Sequence, residues 1–470
     1  MNQEKMPLFE KMNQFQQQQP ISFHVPGHKN GNILPSAAKQ MYENILSLDV
    51  TELPGLDDLH APQGVIAEAE SLAASYFRTD HTFFLVNGTT AGNLAMILAT
   101  CQANDKVIVQ RNSHKSIMHG LELSGARPIF ISPIFDKAVD RYTTPSVETI
   151  EQALKVHPDA KAVLLTYPDY YGETYNLGDM IQVAHSYQIP VLVDEAHGVH
   201  FSISDLFPPS SIELGADIVV QSAHKMAPAM TMGSFLHVNS TLVSQERVAY
   251  YLQMIQSSSP SYPIMASLDI ARAYLATRTK EDLDYVMDSV TRVKNIFQKS
   301  QHWKVIHSAD PLKLTLHIKD GVSCEDAAHF FEQEGIHPEL VTHNQILFIH
   351  GLAPFDKVKQ LENAVKSVND QLKNRLDHDT IELSNLFIKP MQELALSYHT
   401  INKHEIVQKS FYEAIGDIAA EAVIPYPPGI PIILKGEVIT HEQIGFLEQL
   451  IDKGITIQHR DINNGLRVLK

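Results

Sequence analysis

The sequence predicts an α/β protein with a mostly parallel central sheet, a smaller α/β domain and a C-terminal domain. From about residue 82 to residue 238, short apolar runs alternate with segments whose apolar residues recur at helical spacing. The runs are continuously apolar, as in parallel strands that are buried on both faces. A chain of 470 residues is too long for one ordinary core and suits two or three domains.

The strands of the central sheet are predicted from the apolar runs, and the segments between them are predicted to be helices. Right-handed crossovers place the loops that follow such strands at one edge of the sheet, where α/β enzymes bind ligands. Functional side chains are therefore expected just after strand ends. The predicted strands are 82–86, 106–109, 128–131, 162–165, 191–193, 218–220 and 234–238.

Four segments are predicted along the chain. Residues 1–35 begin with a polar, glutamine-rich stretch and are interpreted as an N-terminal arm rather than a core element. Residues 36–265 form the major domain, and residues 266–375 form a small α/β domain that opens with a long helical region to about residue 298. Residues 376–470 form the C-terminal domain, where closely spaced prolines enforce an extended path.

Composition excludes several classes of protein. Hydrophobic residues make up 44% and charged residues 19%, which is typical of a globular protein. The net charge of -17 disfavours nucleic acids and anionic membranes as partners, because both need a basic face. No apolar run reaches the roughly 18 residues of a membrane span, and no signal peptide is recognised. A cytoplasmic protein is expected, and its two cysteines are too few for a disulfide framework.

An acid at the end of one predicted strand precedes a lysine just past the end of the next. Asp194 ends the first run, and Lys225 follows the second. A pyridoxal-phosphate enzyme needs this pair, because the lysine forms a Schiff base with the cofactor aldehyde and the carboxylate keeps the pyridine nitrogen protonated. The alternatives are a solvated surface lysine and an acid that caps the next helix with Glu195 as an exposed neighbour.

Side chains next to this pair add to the cofactor hypothesis. Ser222 and His224 offer a hydroxyl and an imidazole from the same turn as the lysine. Ala196 is small enough to lie flat against a cofactor ring, and His197 either points to the cofactor or caps locally. The four residues 194–197 also match the acid-rich box of some helicases, but the chain has no partner phosphate loop.

A glycine-threonine turn is the candidate phosphate site. Gly88, Thr89, Thr90 and Ala91 follow a predicted strand and open a predicted helix. Backbone N–H groups, hydroxyls and the positive end of the helix dipole at such a place suit a phosphate. The alternative is an ordinary N-cap, and the aspartate and lysine downstream favour the phosphate.

Histidines near the N-terminal half supply further candidates. His114 follows a predicted strand, where it can stack on a pyridine ring or contact a substrate carboxylate; the alternative is a surface histidine. His24 and His28 are separated by Pro26 and Gly27, so they do not form a metal pair on a helix face. No metal site is predicted.

Together these motifs resemble those of the bacterial ornithine/lysine/arginine decarboxylase family, whose members are fold type I pyridoxal-phosphate enzymes. The chain is similar to the short form, which lacks an N-terminal wing domain and includes biosynthetic arginine decarboxylases. Two positions depart from the family pattern: His197 stands where larger relatives have an aromatic residue, and Lys435 stands where a proline is usual. The matching motifs are 24–29, 51–53, 57–60, 87–90, 111–116, 222–225, 426–431 and 436–437.

The resemblance implies a role for each candidate. Lys225 carries the cofactor, Asp194 pairs with the pyridinium, and His114 stacks on the ring. Glu437 helps to receive the distal cation of the substrate. The resemblance also assigns His24 and His28 to the substrate and implies a homodimer or higher oligomer with shared active sites. The residues implied to cluster at the phosphate are Thr89, Thr90, Ser222 and His224.

The implied reaction is α-decarboxylation of a basic amino acid in polyamine metabolism. Arginine, giving agmatine, is the first choice, and lysine and ornithine are alternatives. Lys225 or His224 is expected to protonate Cα. A desolvated cation requires a carboxylate partner. The alternatives are another pyridoxal-phosphate reaction, such as transamination or Cα–Cβ cleavage, and a catalytically silent regulator that binds the cofactor.

Overall fold

The computed structural model describes residues 1–373, 387, 389–401, 403–425, 430–452, 454–459 and 461–470. Spatial contacts divide the chain into two compact units, each built from two chain segments. The first unit contains Met1–Thr100 and Gln188–Arg278, and the second contains Cys101–Tyr187 and Thr279–Lys470. The domain boundaries along the sequence stay a prediction, and both the boundary at 376 and the motif residues 426–429 lie outside the described residues.

Helices and strands alternate through most of the described chain, as the apolar runs predict. The helices are α1 (Pro7–Gln17), α2 (Ser36–Ser47), α3 (Val65–Phe77), α4 (Gly88–Thr100), α5 (Lys115–Ser124), α6 (Val147–Val156), α7 (Leu177–Ser186), α8 (Ala223–Met226), α9 (Gln245–Ile255), α10 (Tyr262–Ala276), α11 (Lys280–Phe297), α12 (Cys324–Gln333), α13 (Val358–Leu372), α14 (Tyr398–Ile401) and α15 (His441–Asp452). The strands are β1 (His81–Leu85), β2 (Lys106–Gln110), β3 (Arg127–Ile131), β4 (Phe135–Asp136), β5 (Arg141–Tyr142), β6 (Ala162–Thr166), β7 (Val191–Asp194), β8 (Ile218–Gln221), β9 (Ser234–Val238), β10 (Trp303–Ile306), β11 (Lys313–Ile318), β12 (Leu340–Val341), β13 (Gln345–Ile349), β14 (Met391–Glu393), β15 (Ile406–Lys409), β16 (Ile418–Ala419), β17 (Ile424–Pro425), β18 (Ile457–Gln458) and β19 (Leu466–Leu469).

The first unit, which is described throughout, is organised around strands in the order β1-β9-β8-β7. β7 and β8 pair in parallel, and β9 runs antiparallel to both of its neighbours. β1, β7 and β8 therefore share one direction, as a mostly parallel sheet requires. Every residue of β7, β8 and β9 is buried, which explains why these strands appear in the sequence as continuous apolar runs.

The N-terminal segment contributes a core helix, which differs from the predicted arm. α1 packs against α3 and α10, and its Leu8 and Met12 are 0% and 1% exposed. Asp269 Oδ2 on α10 accepts a hydrogen bond from the backbone N–H of Leu8 at 3.0 Å, and Arg272 donates to the backbone oxygen of Lys5. Two apolar residues one turn apart thus anchor a segment whose overall composition is polar.

The second unit contains β6, β2 and β3 as parallel neighbours, with β14 antiparallel at the edge. A separate antiparallel sheet, in the order β10-β11-β13-β12, belongs to the predicted small α/β domain. The predicted long helical region is two helices, because α10 ends at Ala276 and α11 begins at Lys280 behind a capping box of Thr279 and Asp282. The α/β class with a mostly parallel central sheet is confirmed, because β1, β7 and β8 share one direction in the first unit and β6, β2 and β3 are parallel in the second.

The C-terminal part of the second unit has a small core of its own. β15, β19 and β16 form a three-stranded sheet, and the described core there includes Val468 together with Ile444 and Leu447 of α15. Its strands are two to four residues long, too short for a period of two to stand out in the sequence.

Candidate active site

Parallel pairing of β7 and β8 determines where the predicted acid and lysine lie. Asp194 is in register with Val220, next to the last residue of β8. Lys225 lies in α8, the short helix directly after β8. Because the carboxyl ends of parallel strands meet at one edge of a sheet, the turn after Asp194 and the turn that carries Lys225 are neighbours.

A direct contact joins these two turns. Lys225 Nζ lies 3.0 Å from Nε2 of His197, three residues beyond Asp194. His197 is 5% exposed, so the imidazole is fixed by packing as well as by this contact. The structure thus brings Lys225 and His197 together.

Asp194 is buried and is held by two hydrogen bonds. Its Oδ2 accepts from the side-chain amide of Asn93 at 2.9 Å, and its Oδ1 accepts from the backbone N–H of Ala196 at 3.2 Å. Asn93 lies on α4, one turn after Thr89. The sequence reasoning did not assign a role to Asn93, although its place one turn beyond Thr89 was a usable signal.

Hydroxyl groups gather at the N-terminus of α4. Thr89 Oγ1 hydrogen-bonds with Ser222 Oγ and lies 3.2 Å from Ser234 Oγ. Ser234 is the first residue of β9 and was not predicted, because nothing in its local sequence distinguishes it. Of the other residues predicted at this turn, Thr90 is exposed and Ala91 is buried.

Two glycines allow α4 to begin at this position. Gly88 has φ 74°, in the left-handed region that favours glycine, and its N–H donates to the backbone oxygen of Met232 at 2.9 Å. A Cβ at Gly92 would lie 2.5 Å from Cγ1 of Val220 on β8. The absence of a side chain there lets the helix start lie directly against β8, next to Ser222.

The group of residues fits pyridoxal phosphate in chemical type. The hydroxyls of Thr89, Ser222 and Ser234 at the N-terminus of a 13-residue helix suit a phosphate. The amine of Lys225 suits the cofactor aldehyde, and the carboxylate of Asp194 suits the pyridine nitrogen. All five residues belong to the first unit.

His224 is oriented by the loop that precedes β9. Its Nδ1 lies 3.2 Å from the backbone oxygen of Gly233, and its backbone N–H donates to the same oxygen at 3.2 Å. A carbonyl oxygen only accepts hydrogen bonds, so Nδ1 carries a proton. The contact therefore places a proton on Nδ1 and sets the direction of the ring.

His114 and Glu437 lie in the second unit. His114 caps α5, where its Nδ1 accepts from the backbone N–H of Ser116 at 3.2 Å. Glu437 is 2% exposed and forms an ion pair of 3.0 Å with Arg111. The Glu437 carboxylate already has a cation partner inside its own chain, and the predicted substrate roles of both residues stay predictions.

The two N-terminal histidines make local contacts in the first unit. His28 Nε2 lies 3.1 Å from Asp49 Oδ2, and His24 Nδ1 lies 2.5 Å from the backbone oxygen of Val25. Their predicted roles at the substrate stay predictions. In the parts of the chain that the structure describes, no group of three or more potential ligands is arranged for a metal, and no helix is long and apolar enough to cross a membrane.

Comparison with known proteins gives the family. The major domain of Orn/Lys/Arg decarboxylases matches residues 6–317, and the C-terminal domain of the same family matches residues 380–454. YaaO of Bacillus subtilis (strain 168), an uncharacterized protein, is 43% identical over 460 residues, covering 96% of this chain and 95% of its own. An arginine decarboxylase of the same organism is 36% identical over 472 residues, covering 97% and 96%.

A solved structure supports the same fold. The constitutive lysine decarboxylase of E. coli superposes with a TM-score of 0.81 at 20% identity, covering 99% of this chain and 82% of that chain. With a family match over most of its length and a cluster that fits the cofactor, the chain belongs to the Orn/Lys/Arg decarboxylase family and is a pyridoxal-phosphate-dependent decarboxylase of basic amino acids.

Proposed function

We propose that this decarboxylase acts on arginine and releases carbon dioxide and agmatine. The observation that carries the site assignment is the contact of 3.0 Å between Lys225 Nζ and His197 Nε2, just beyond the buried Asp194. The choice of arginine is supported by the relative of 36% identity, whose name is arginine decarboxylase and which the chain matches over 97% of its length.

The contacts described support the following roles. Lys225 holds the cofactor, and His197 holds the lysine amine in place. Asp194, directed by Asn93, pairs with the pyridine nitrogen. When bound, pyridoxal phosphate supplies the electron sink that accepts the electron pair of the broken Cα–carboxylate bond. The residues proposed to hold the phosphate are Gly88, Thr89, Thr90, Ala91, Ser222, Ser234 and His224.

The chain's own groups also orient the substrate and move a proton. His224 or Lys225 delivers the proton to Cα after carbon dioxide leaves. Because the Gly233 carbonyl engages the proton on His224 Nδ1, His224 would deliver a second proton from Nε2 of the doubly protonated ring. His114 stacks on the cofactor ring. The substrate guanidinium requires a desolvated carboxylate, preferably in a bidentate arrangement. Glu437, together with His24 and His28, is proposed to bind the substrate. Arg111 pairs with the Glu437 carboxylate and so competes with the substrate for it.

The active form is proposed to be a cytoplasmic homodimer. α2 has no buried residue within one chain, and its Met41 is 83% exposed. Phe23 in the preceding segment is 94% exposed. Exposed apolar side chains that cluster in sequence indicate a surface covered by a partner, and a second copy is the common solution.

Light scattering tests the dimer. Phe23→Asp together with Met41→Asp should lower the measured mass towards that of one chain, whereas Tyr412→Asp, at a side chain that is 64% exposed in the second unit, should not. An unchanged mass for the double variant would contradict the dimer at this surface.

The reaction is tested by carbon dioxide release with mass-spectrometric identification of the product. Purified protein with pyridoxal phosphate is supplied separately with arginine, lysine and ornithine. We expect agmatine from arginine and a kcat/KM at least about tenfold lower for lysine and ornithine, since a guanidinium site discriminates by its paired hydrogen bonds. Release from lysine or ornithine alone would overturn the choice of arginine, and a keto acid product would overturn decarboxylation.

A further inference from the structure

Glu195 is a buried carboxylate beside the active site to which the proposed reaction assigns no role. Only the capping alternative for Asp194 made Glu195 an exposed neighbour, and the structure does not agree with that alternative, since Glu195 is 0% exposed. Its Oε2 accepts from the backbone N–H of Ser211 at 2.8 Å and also from the Ser211 hydroxyl. Its Oε1 accepts from Ser210 Oγ at 3.0 Å and from Gln221 Nε2 at 3.1 Å.

Asp194 and Glu195 contact different parts of the first unit. Consecutive residues of an extended chain point to opposite faces of the sheet. Asp194 accordingly contacts Asn93 on α4, whereas Glu195 contacts the segment of Ser210 and Ser211. The strand end is thus anchored on both faces, and only one of the two carboxylates is directed at the cofactor-binding side.

The Glu195 side chain also determines the shape of the turn that follows it. A Cβ at Gly198 would lie 2.6 Å from Glu195 Cγ and 2.7 Å from its Oε1, so the side chain lies directly against the Gly198 backbone. The N–H of Gly198 donates to the backbone oxygen of Glu195 at 3.0 Å. His197, which contacts Lys225, lies inside this closed turn.

A directional chain of hydrogen bonds ends at Glu195. Gln221 donates to Glu195 through Nε2, so its Oε1 accepts from His237 Nε2 at 3.0 Å. His237 Nδ1 then accepts from the hydroxyl of Thr82 at 2.8 Å, since burial lowers the pKa of His237 to about 3 and the ring is neutral. This series of hydrogen bonds runs across β1, β9 and β8, and each group donates to the next one in the direction of the Glu195 carboxylate.

We propose that Glu195 is a positioning residue of the active site. Held by Ser210, Ser211 and Gln221, its carboxylate fixes the turn of residues 195–198 so that His197 faces Lys225. The inference rests on the proposed function only in taking Lys225 as the cofactor lysine. Glu195 acts through His197 and Asp194, and does not itself contact the cofactor.

Three variants test this role, with cofactor dissociation constant and cofactor absorbance against pH as readouts. Glu195→Ala should bind pyridoxal phosphate about tenfold more weakly and shift the pH midpoint of the bound-cofactor absorbance, because the turn loses the acceptor of the hydrogen bonds from Ser210, Ser211 and Gln221. Glu195→Gln keeps an acceptor oxygen and should restore most of the affinity. Ser211→Ala, which keeps the carboxylate, should give a smaller loss.

Glu70 supplies the matched control. It is a carboxylate of the same unit that is 2% exposed and accepts a backbone N–H from Phe84 at 2.9 Å, but it lies on α3. Glu70→Ala should lower stability without moving the absorbance midpoint. The proposal is overturned if Glu195→Ala leaves affinity and midpoint unchanged, or if Glu70→Ala shifts them equally.

Hydrogen exchange separates this role from the proposed function. In protein without cofactor, Ser211→Ala and Glu195→Ala should speed exchange of the Gly198 amide relative to Glu70→Ala, because that amide closes the turn. If wild-type protein binds no cofactor, the proposed function fails and exchange alone decides the positioning role. If the Gly198 amide exchanged at the same rate in all variants, the positioning role of Glu195 would be overturned. If Glu195→Ala did not fold, the exchange rate of Ser211→Ala would decide.

Discussion

Asp194 is directed by amide groups of its own chain. Asn93 Nδ2 donates to one carboxylate oxygen and the backbone N–H of Ala196 donates to the other. At 3% exposure, the carboxylate has little solvent to compete with these donors. The orientation of this carboxylate therefore depends on a helix residue that lies 101 positions earlier in the sequence.

Removing the Asn93 amide should weaken cofactor binding. We expect Asn93→Ala to raise the dissociation constant for pyridoxal phosphate about tenfold, the size of one charge-assisted hydrogen bond. Fluorescence titration of cofactor-free protein measures this value. Asn295→Ala, at an exposed position of α11, is the control and should match the wild type. If Asn93→Ala bound pyridoxal phosphate as tightly as the control, the hydrogen bond from Asn93 would not be needed to orient Asp194.

Glu70 should make stability depend on pH. Burial raises the pKa of Glu70 to about 8 from an ordinary 4.5, so folding favours the protonated form. Relative to Glu70→Gln, the stabilisation that protonated Glu70 gives to the folded protein is complete below pH 4.5 and is lost as the pH rises to about 8. Unfolding free energies should fall more steeply with pH in the wild type, by at most about 1.4 kcal/mol per pH unit. Parallel slopes for the two proteins would contradict this assignment.

At the scale of elements, the site depends on close contact between α4 and β8. This contact brings the Thr89 hydroxyl to Ser222 at the end of β8. Gly92 allows this close contact, because any side chain at this position would clash with Val220 and Leu85. A small residue at the helix–sheet contact thus supports the proposed phosphate site without belonging to the hydroxyl group cluster itself.

Enlarging Gly92 should separate the helix from the strand. Gly92→Ala would place a Cβ 2.5 Å from Val220 Cγ1 and 2.8 Å from Leu85 Cδ1, costing about 1–3 kcal/mol of stability and weakening cofactor binding. Gly445→Ala is the matched control, because that helical glycine has nothing within 4 Å of the added carbon and alanine should stabilise the helix by up to about 1 kcal/mol. Thermal unfolding and cofactor titration check both, and a Gly92→Ala protein as stable as Gly445→Ala would be inconsistent with the contact.

The sequence predicts some of these elements and residues but not others. β7 and β8 were predictable because both are buried on two faces and end in polar residues, so Asp194 and Lys225 stand out. Ser234 was not, because its role depends on β9 lying next to β8 in antiparallel register, which local sequence does not encode. Glu195 received no role from its sequence and was exposed only in the capping alternative, because its buried donors, Ser210, Ser211 and Gln221, are supplied by the fold.

At the scale of the whole molecule, the candidate site is assembled from two distant stretches of chain. Residues 88–93 come from the first segment of the first unit, and residues 194–234 come from its second segment. The net charge of -17 favours the approach of a cationic amino acid over long range. His114 and Glu437 belong to the second unit, so their proposed roles depend on how the complete enzyme is assembled.

Reductive trapping determines whether the cofactor is attached covalently to Lys225. Protein loaded with pyridoxal phosphate is reduced with borohydride and digested, and mass spectrometry locates the modified lysine. We predict a single phosphopyridoxyl group on Lys225, lost in Lys225→Ala and kept in Lys39→Ala, whose lysine is exposed on α2. A modification at another lysine, or unchanged labelling of Lys225→Ala, would contradict the assignment of the active site.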